Sequence, residues 1–156
     1  MNPLRSVGAR LSLALLLVVA GALGFVYLIV APSLEDRLVH AKLSQLERAA
    51  PSIARHLPGD ETRWTDFLES ASASANARIV LYNVIGPPLA LQVADDSRQS
   101  LPSTDVENDP VALRVALTLR PAHGTVHRGG ERYAEVAVPS TARPIVLLTA
   151  SLLNPL

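Results

Sequence analysis

The sequence has no cysteine among its 156 residues, which excludes disulfide frameworks, thiolate zinc sites, iron–sulfur clusters and cysteine nucleophiles. Aromatic residues are scarce at 4%, with a single Trp, and Lys42 is the one lysine among fourteen basic side chains. An excess of either charge is also missing. Fourteen basic residues balance fourteen acidic ones, which argues against a nucleic-acid partner. The length excludes a multidomain enzyme and leaves room for one modest domain plus an appendage. Catalytic signatures are absent too: no G-x-S-x-G elbow, no H-E-x-x-H, no G-x-x-x-x-G-K-[ST] and no glycine fingerprint after a strand. No catalytic residue, metal ligand or cofactor is therefore assigned.

Apolar sequence, by contrast, is plentiful near the start. No side chain from Leu11 to Leu34 is charged, and Leu11 to Val30 is greasy on every helical face. Twenty helical residues span roughly 30 Å, the hydrocarbon thickness of a bilayer, whereas the apolar stretch of a signal peptide runs about 7–15 residues. The reading is an uncleaved transmembrane anchor over residues 11–31. The step Ala20-Gly21-Ala22 offers an alternative, cleavage that leaves a mature N-terminus near Leu23. Arg5 and Arg10 precede the anchor and Glu35 and Asp36 follow it. By the positive-inside rule residues 1–10 are then cytoplasmic and 32–156 extracytoplasmic. The membrane is thus the first expected partner.

After the anchor, Pro32 and Ser33 can start a second helix or continue the first, and Pro51 should bend or restart it. Val39, Leu43, Leu46, Ala50, Ile53 and Leu57 form a heptad-like stripe. The stripe either pairs with a second copy, giving a homodimer, or covers the sheet of its own domain. Asp60 is a candidate cap for a helix whose buried face is Trp64, Phe67, Leu68 and Ala71 and which ends near Asn76.

The period then changes to that of strands. Arg78 to Val84 and Leu89 to Ala94 flank Gly86-Pro87-Pro88 as an atypical hairpin. The loop from Asp95 to Asp109 holds five acids at a spacing that fits no calcium loop, so it is read as solvated. Asn108 or Asp109 can cap a helix with Pro110 at its first position and Val111, Ala112, Val115, Ala116 and Leu119 inward. Three strands follow, at Thr125–Arg128, Arg132–Val138 and Ile145–Ala150. Tyr133, Glu135 and Ala137 alternate with Ala134, Val136 and Val138, which predicts one buried and one wet or partner-facing side. His123 and His127 straddle Gly124 and read as an exposed loop pair. Arg78, Arg114, Arg128 and Arg132 could clamp a carboxylate-bearing ligand bidentately. The candidate ligand-binding set is Arg78, Tyr82, Arg114, Arg132 and Tyr133.

The order of elements predicts an α+β fold: a transmembrane helix continuing into a long helix, then a five-stranded antiparallel sheet with flanking helices. With ARIVLY at Ala77–Tyr82, NDPVALRVAL at Asn108–Leu117, RYAEVAVP at Arg132–Pro139 and PIVLLTASL at Pro144–Leu152, this order resembles a known class of sensor. The class comprises the extracytoplasmic PAS-like (PDC or single Cache-like) input domains of bacterial two-component sensor histidine kinases. Thr118 and Leu119 stand where a helix-ending glycine is expected, and Pro87-Pro88 replaces an Asp-Gly turn. The resemblance implies a signal-sensing input module. In such receptors a second span, a HAMP relay and the kinase follow, and a response regulator is reached only through them; here a few residues follow Leu152. Chemotaxis receptors and diguanylate cyclases are similar in their input halves. Outside signalling, the alternative is a single-span envelope protein with an outer protein-binding domain.

Overall fold

The structure, a computed structural model, describes residues 7–98 and 103–153. Arg5 of the expected cytoplasmic flank and residues 99–102 of the acidic loop lie outside the described residues. The chain divides into two compact units, Met1–Leu38 and Val39–Leu156. Helix α1, Val7–His56, begins within the first unit. Within it Leu11–Ile29 is a 19-residue apolar stretch, none of it packed against other parts of the chain. Leu11, Leu16, Phe25 and Leu28 are all exposed. Such a helix is long and apolar enough to cross a membrane.

The second unit is α+β. The remainder of α1 is followed by α2 (Trp64–Ala75), β1 (Arg78–Ile85), β2 (Ala90–Asp96), α3 (Pro110–Thr118), β3 (Ala122–Arg128), β4 (Glu131–Pro139) and β5 (Ile145–Ser151). The five strands form one sheet in the order β2-β1-β5-β4-β3, with every neighbouring pair antiparallel. That order, with helices flanking the sheet, is compatible with a PAS-like fold.

Local signals place the helix ends. Asp60 accepts the Thr62 N–H at 3.1 Å ahead of α2, and Asn76 closes α2 in the left-handed region at φ 46°. Asp109 Oδ1 accepts the Val111 and Ala112 N–H groups at 2.9 and 2.8 Å, and Pro110 takes the first turn of α3, where its missing N–H costs nothing. Leu119 takes the left-handed closing position at φ 55°. A residue with a Cβ pays about 1 kcal/mol there, which is why glycine is usual.

Both faces of the sheet are covered. Ile79, Leu81, Val136, Val138, Val146 and Leu148 pack against Leu46, Ala50 and Ala54 of α1, Leu57 just beyond its end, and Trp64 and Leu68 of α2. On the opposite face Val80, Tyr82, Ala137 and Leu147 pack against Val106 and against Val111, Ala112 and Val115 of α3. The wet face expected of β4 is therefore absent: Ala134 to Val138 are all buried, because α3 covers the side on which Glu135 lies.

Two further expectations are corrected. α1 runs on through Pro51, since the gain from burying Ala50, Ala54 and Leu57 outweighs the lost backbone hydrogen bond. β3 begins at Ala122 rather than Thr125. Gly124 lies within the strand, and a Cβ there would come within 3.5 Å of Val111 Cγ2. The α1 stripe is used inside the protomer. Leu46 and Ala50 have no exposed surface, Leu57 is buried, and Leu43 and Ile53 pack against the same cluster, while Val39 is half-buried outside it. Because the chain has no native cysteine, single cysteines at Leu46 and Ala50 test this cleanly. Under oxidant in membranes neither should crosslink chain to chain; a disulfide at both positions would show the stripe leaving its sheet.

Candidate functional site

The most unusual feature of the second unit is ionic and lies inside it. Arg128, the last residue of β3, points to the face covered by α3, where Nη2 contacts Asp109 Oδ2 and Glu135 Oε1. Its Nη1 is 3.4 Å from Thr149 Oγ1 on β5, and its guanidinium carbon is 5.5 Å from the ring centroid of Tyr133. The side chains of Asp109 and Glu135 have 0% exposure and that of Arg128 has 12%. Burial, then the adjoining Asp109, pushes the Glu135 carboxyl up to about 8, against the pull of Arg128. For Arg128 burial acts to lower the pKa, but Glu135 and Asp109 outweigh it and hold the guanidinium above its ordinary value. Tyr82, wholly buried on β1, donates its hydroxyl proton to the Val106 carbonyl at 2.7 Å. Burial, reinforced by the negative charge of Asp109, raises its phenol.

A second ionic cluster stands at the start of β1. Arg78 Nη2 meets Asp96 Oδ2 at 2.5 Å and Nη1 meets Asp105 Oδ2 at 2.7 Å. Ser103 Oγ donates to Asp96 Oδ2 at 2.7 Å and the Arg98 N–H to Oδ1 at 2.9 Å. Burial acts to raise the Asp96 pKa, but the Arg78, Arg98 and Ser103 hydrogen bonds outweigh it and hold the carboxyl below its ordinary value. A depressed carboxylate stabilises the fold above its unfolded pKa, and that contribution is lost as pH falls through the folded value. The acidic loop is thus not merely solvated. Asp96 and Asp105 neutralise Arg78, Asp109 neutralises Arg128, and Asp95 Oδ2 accepts from Thr65 at 3.0 Å.

An open groove of about 970 Å³ reaches both clusters. Arg78, Arg128, Tyr133 and Thr149 line it, together with Lys42 of α1, Ser72 and Asn76 at the end of α2, and Arg98 and Ser151. Lys42 Nζ donates to the Asn76 carbonyl at 3.2 Å and to Gln45 Oε1 at 3.4 Å, both neutral acceptors. The Tyr133 hydroxyl donates to Glu131 Oε2 at 2.9 Å.

Of the candidate ligand-binding residues, Arg78 and Tyr133 meet in this groove. Tyr82 lies behind it in the core, hydrogen-bonded and inaccessible. Arg114 is exposed on α3, away from the groove lining, and Arg132, half-buried on β4, also lies outside the lining. Arg128 joins Arg78 there. Neither guanidinium is a vacant clamp, because each is already held by two carboxylates of the chain. Sequence reasoning missed Glu135, and for Asp109 it found the helix cap but not the ion pair. The available signal was one glutamate inside the apolar run Tyr133 to Val138, a charge with no place on a strand buried on both faces.

His123 and His127 belong to β3 rather than to a turn. On a strand, residues four apart are separated by roughly 13 Å, too far to chelate one ion together. His123 Nδ1 lies 2.8 Å from Glu47 Oε1 instead. Among the described residues no group of three or more His, Asp or Glu side chains is arranged to hold a metal ion. Comparison with known protein families and with curated protein sequences returns no match for this chain.

Proposed function

We propose that this chain is the extracytoplasmic signal-sensing input module of a membrane-bound two-component sensor histidine kinase. The observation that carries the reading is helix α1, Val7–His56, which contains both an apolar stretch long enough to cross a bilayer and the stripe that packs on a sheet of PAS-like strand order. A change in how the sheet holds Leu46, Ala50 and Ala54 acts directly on that helix. Two ionic clusters bordering an open groove supply a place where a stimulus can act on the sheet. Buried charge of this kind is costly to stability, so function is a better account of it than packing. For signalling, the stimulus must bind two arrangements of the domain with unequal affinity, because equal affinity shifts no population.

The test is genetic. Deleting the chain's coding region in the cells that produce it should abolish phosphorylation of one response regulator under one envelope stimulus among pH, osmolarity, divalent cations and organic acids. An unchanged pattern of regulator phosphorylation across all four would overturn the reading.

A further inference from the structure

We infer that the Asp109–Arg128–Glu135 cluster is a proton-binding site, so that the stimulus this domain reads is the acidity of the compartment it faces. The inference deepens the sensor reading above and, as far as signalling goes, rests on it.

The argument begins with counting charge in a closed space. Two carboxylates with no exposed side-chain surface share one guanidinium. The other groups facing Glu135 do not balance them. Thr149 on β5 is neutral, Tyr82 on β1 gives its proton to Val106, and Tyr133 on the same strand gives its own to Glu131. Arg78 on β1 is committed to Asp96 of β2 and to Asp105. On α3 itself, Arg114 is exposed. Full ionisation would therefore leave one net negative charge inside the protein, which burial strongly opposes. One proton held between the two carboxyl groups removes it.

Geometry places that proton on Glu135. Asp109 uses Oδ1 to accept two α3 amides and Oδ2 to meet Arg128. Glu135 lies in contact with Arg128, yet neither of its oxygens has an aligned hydrogen-bond donor. The carboxyl pushed up to about 8 is this one, so it changes charge in a physiological range. Asp109 is also the cap of α3. Loss of the proton sets two like charges across one guanidinium and favours an arrangement in which the start of α3 and β4 separate. Gain of the proton closes them again.

The sign follows from linkage. A carboxyl whose folded pKa lies above its unfolded value stabilises the closed form fully below the unfolded value. That contribution is lost as pH rises through the folded one. With the full chain in detergent micelles, hydrogen exchange of residues 111–118, corrected for intrinsic rates, should show opening that increases up to tenfold per pH unit above pH 5 and levels off at about 8. Glu135→Gln should remove this slope. Asp109→Asn keeps a capping side chain and should move the plateau to lower pH. A flat wild-type profile, or a Glu135→Gln variant with the wild-type slope, would overturn the proton site. If Glu135→Gln does not fold, an unmoved plateau in Asp109→Asn overturns it instead. Signalling is read separately, in cells carrying Glu135→Gln. If pH-dependent regulator phosphorylation persists there while the micelle titration behaves as expected, the cluster binds the proton but is not how the cell reads acidity, and the link to signalling is overturned.

Discussion

Arg128→Met should destabilise the second unit by about 3–5 kcal/mol at pH 8, the usual cost of removing one partner from a buried ion pair. The methionine fills most of the space, so the loss is electrostatic: Asp109 and Glu135, both without exposed side-chain surface, are left facing each other with no cation between them. Arg128 pulls the Glu135 pKa down, so without it the carboxyl holds its proton above pH 8, and the cost should be nearly constant below about 8 and grow as pH rises above it, where only wild type ionises. Arg128→Met combined with Glu135→Gln should recover part of the loss, since the two side chains are in direct contact. Urea unfolding of the full chain in micelles, followed by circular dichroism at about pH 6, 8 and 9, measures all of this. Equal stability of Arg128→Met and wild type at pH 8 would show that the cluster is not a closed ionic unit.

Trp64→Ala is expected to cost about 3–5 kcal/mol, the range for truncating a buried aromatic. Trp64 sits at the start of α2, 5% exposed, within the cluster formed by Leu46, Ala50, Leu68 and the sheet. It also ties the preceding turn to α2, because Nε1–H donates to the Pro58 carbonyl at 2.8 Å. Trp64→Phe keeps most of the apolar area and drops that bond, so its cost should be nearer 1 kcal/mol. The native tryptophan fluorescence is lost with either change, which again makes circular dichroism the suitable reporter. A loss below 1 kcal/mol for Trp64→Ala would mean that α2 docks on the sheet by other contacts.

Local chemistry made most of the fold legible. Asp109-Pro110 announces α3, Asp60 the turn before α2, and the alternation in β4 its extended conformation. Failures came where long-range packing decided the outcome. Nothing near Pro51 shows that Leu148 and Val136 receive the α1 face on both sides of it, and nothing near Gly124 shows that Val111 lies beside it. The heptad spacing of Val39 to Leu57 fits a partner helix and a sheet face equally well, and only the sheet's own apolar side decides between them. The candidate site was legible for Arg78 and Tyr133 but not as a unit. Arg128, Asp109 and Glu135 come from three elements, and a charged residue alternating with apolar ones reads as wet until α3 is seen to cover it.

We propose an anchored helix with the folded unit displayed outside the cytoplasm, and the cysteine-free chain allows a direct test. Thr125 is exposed on the edge strand β3 and lies outside both ionic clusters, so Thr125→Cys supplies one accessible thiol. Cells with a permeable outer envelope and a sealed inner membrane, treated with a membrane-impermeant maleimide, should label this variant to the same extent before and after lysis. Labelling that appears only once the inner membrane is broken would place the domain in the cytoplasm and contradict the account.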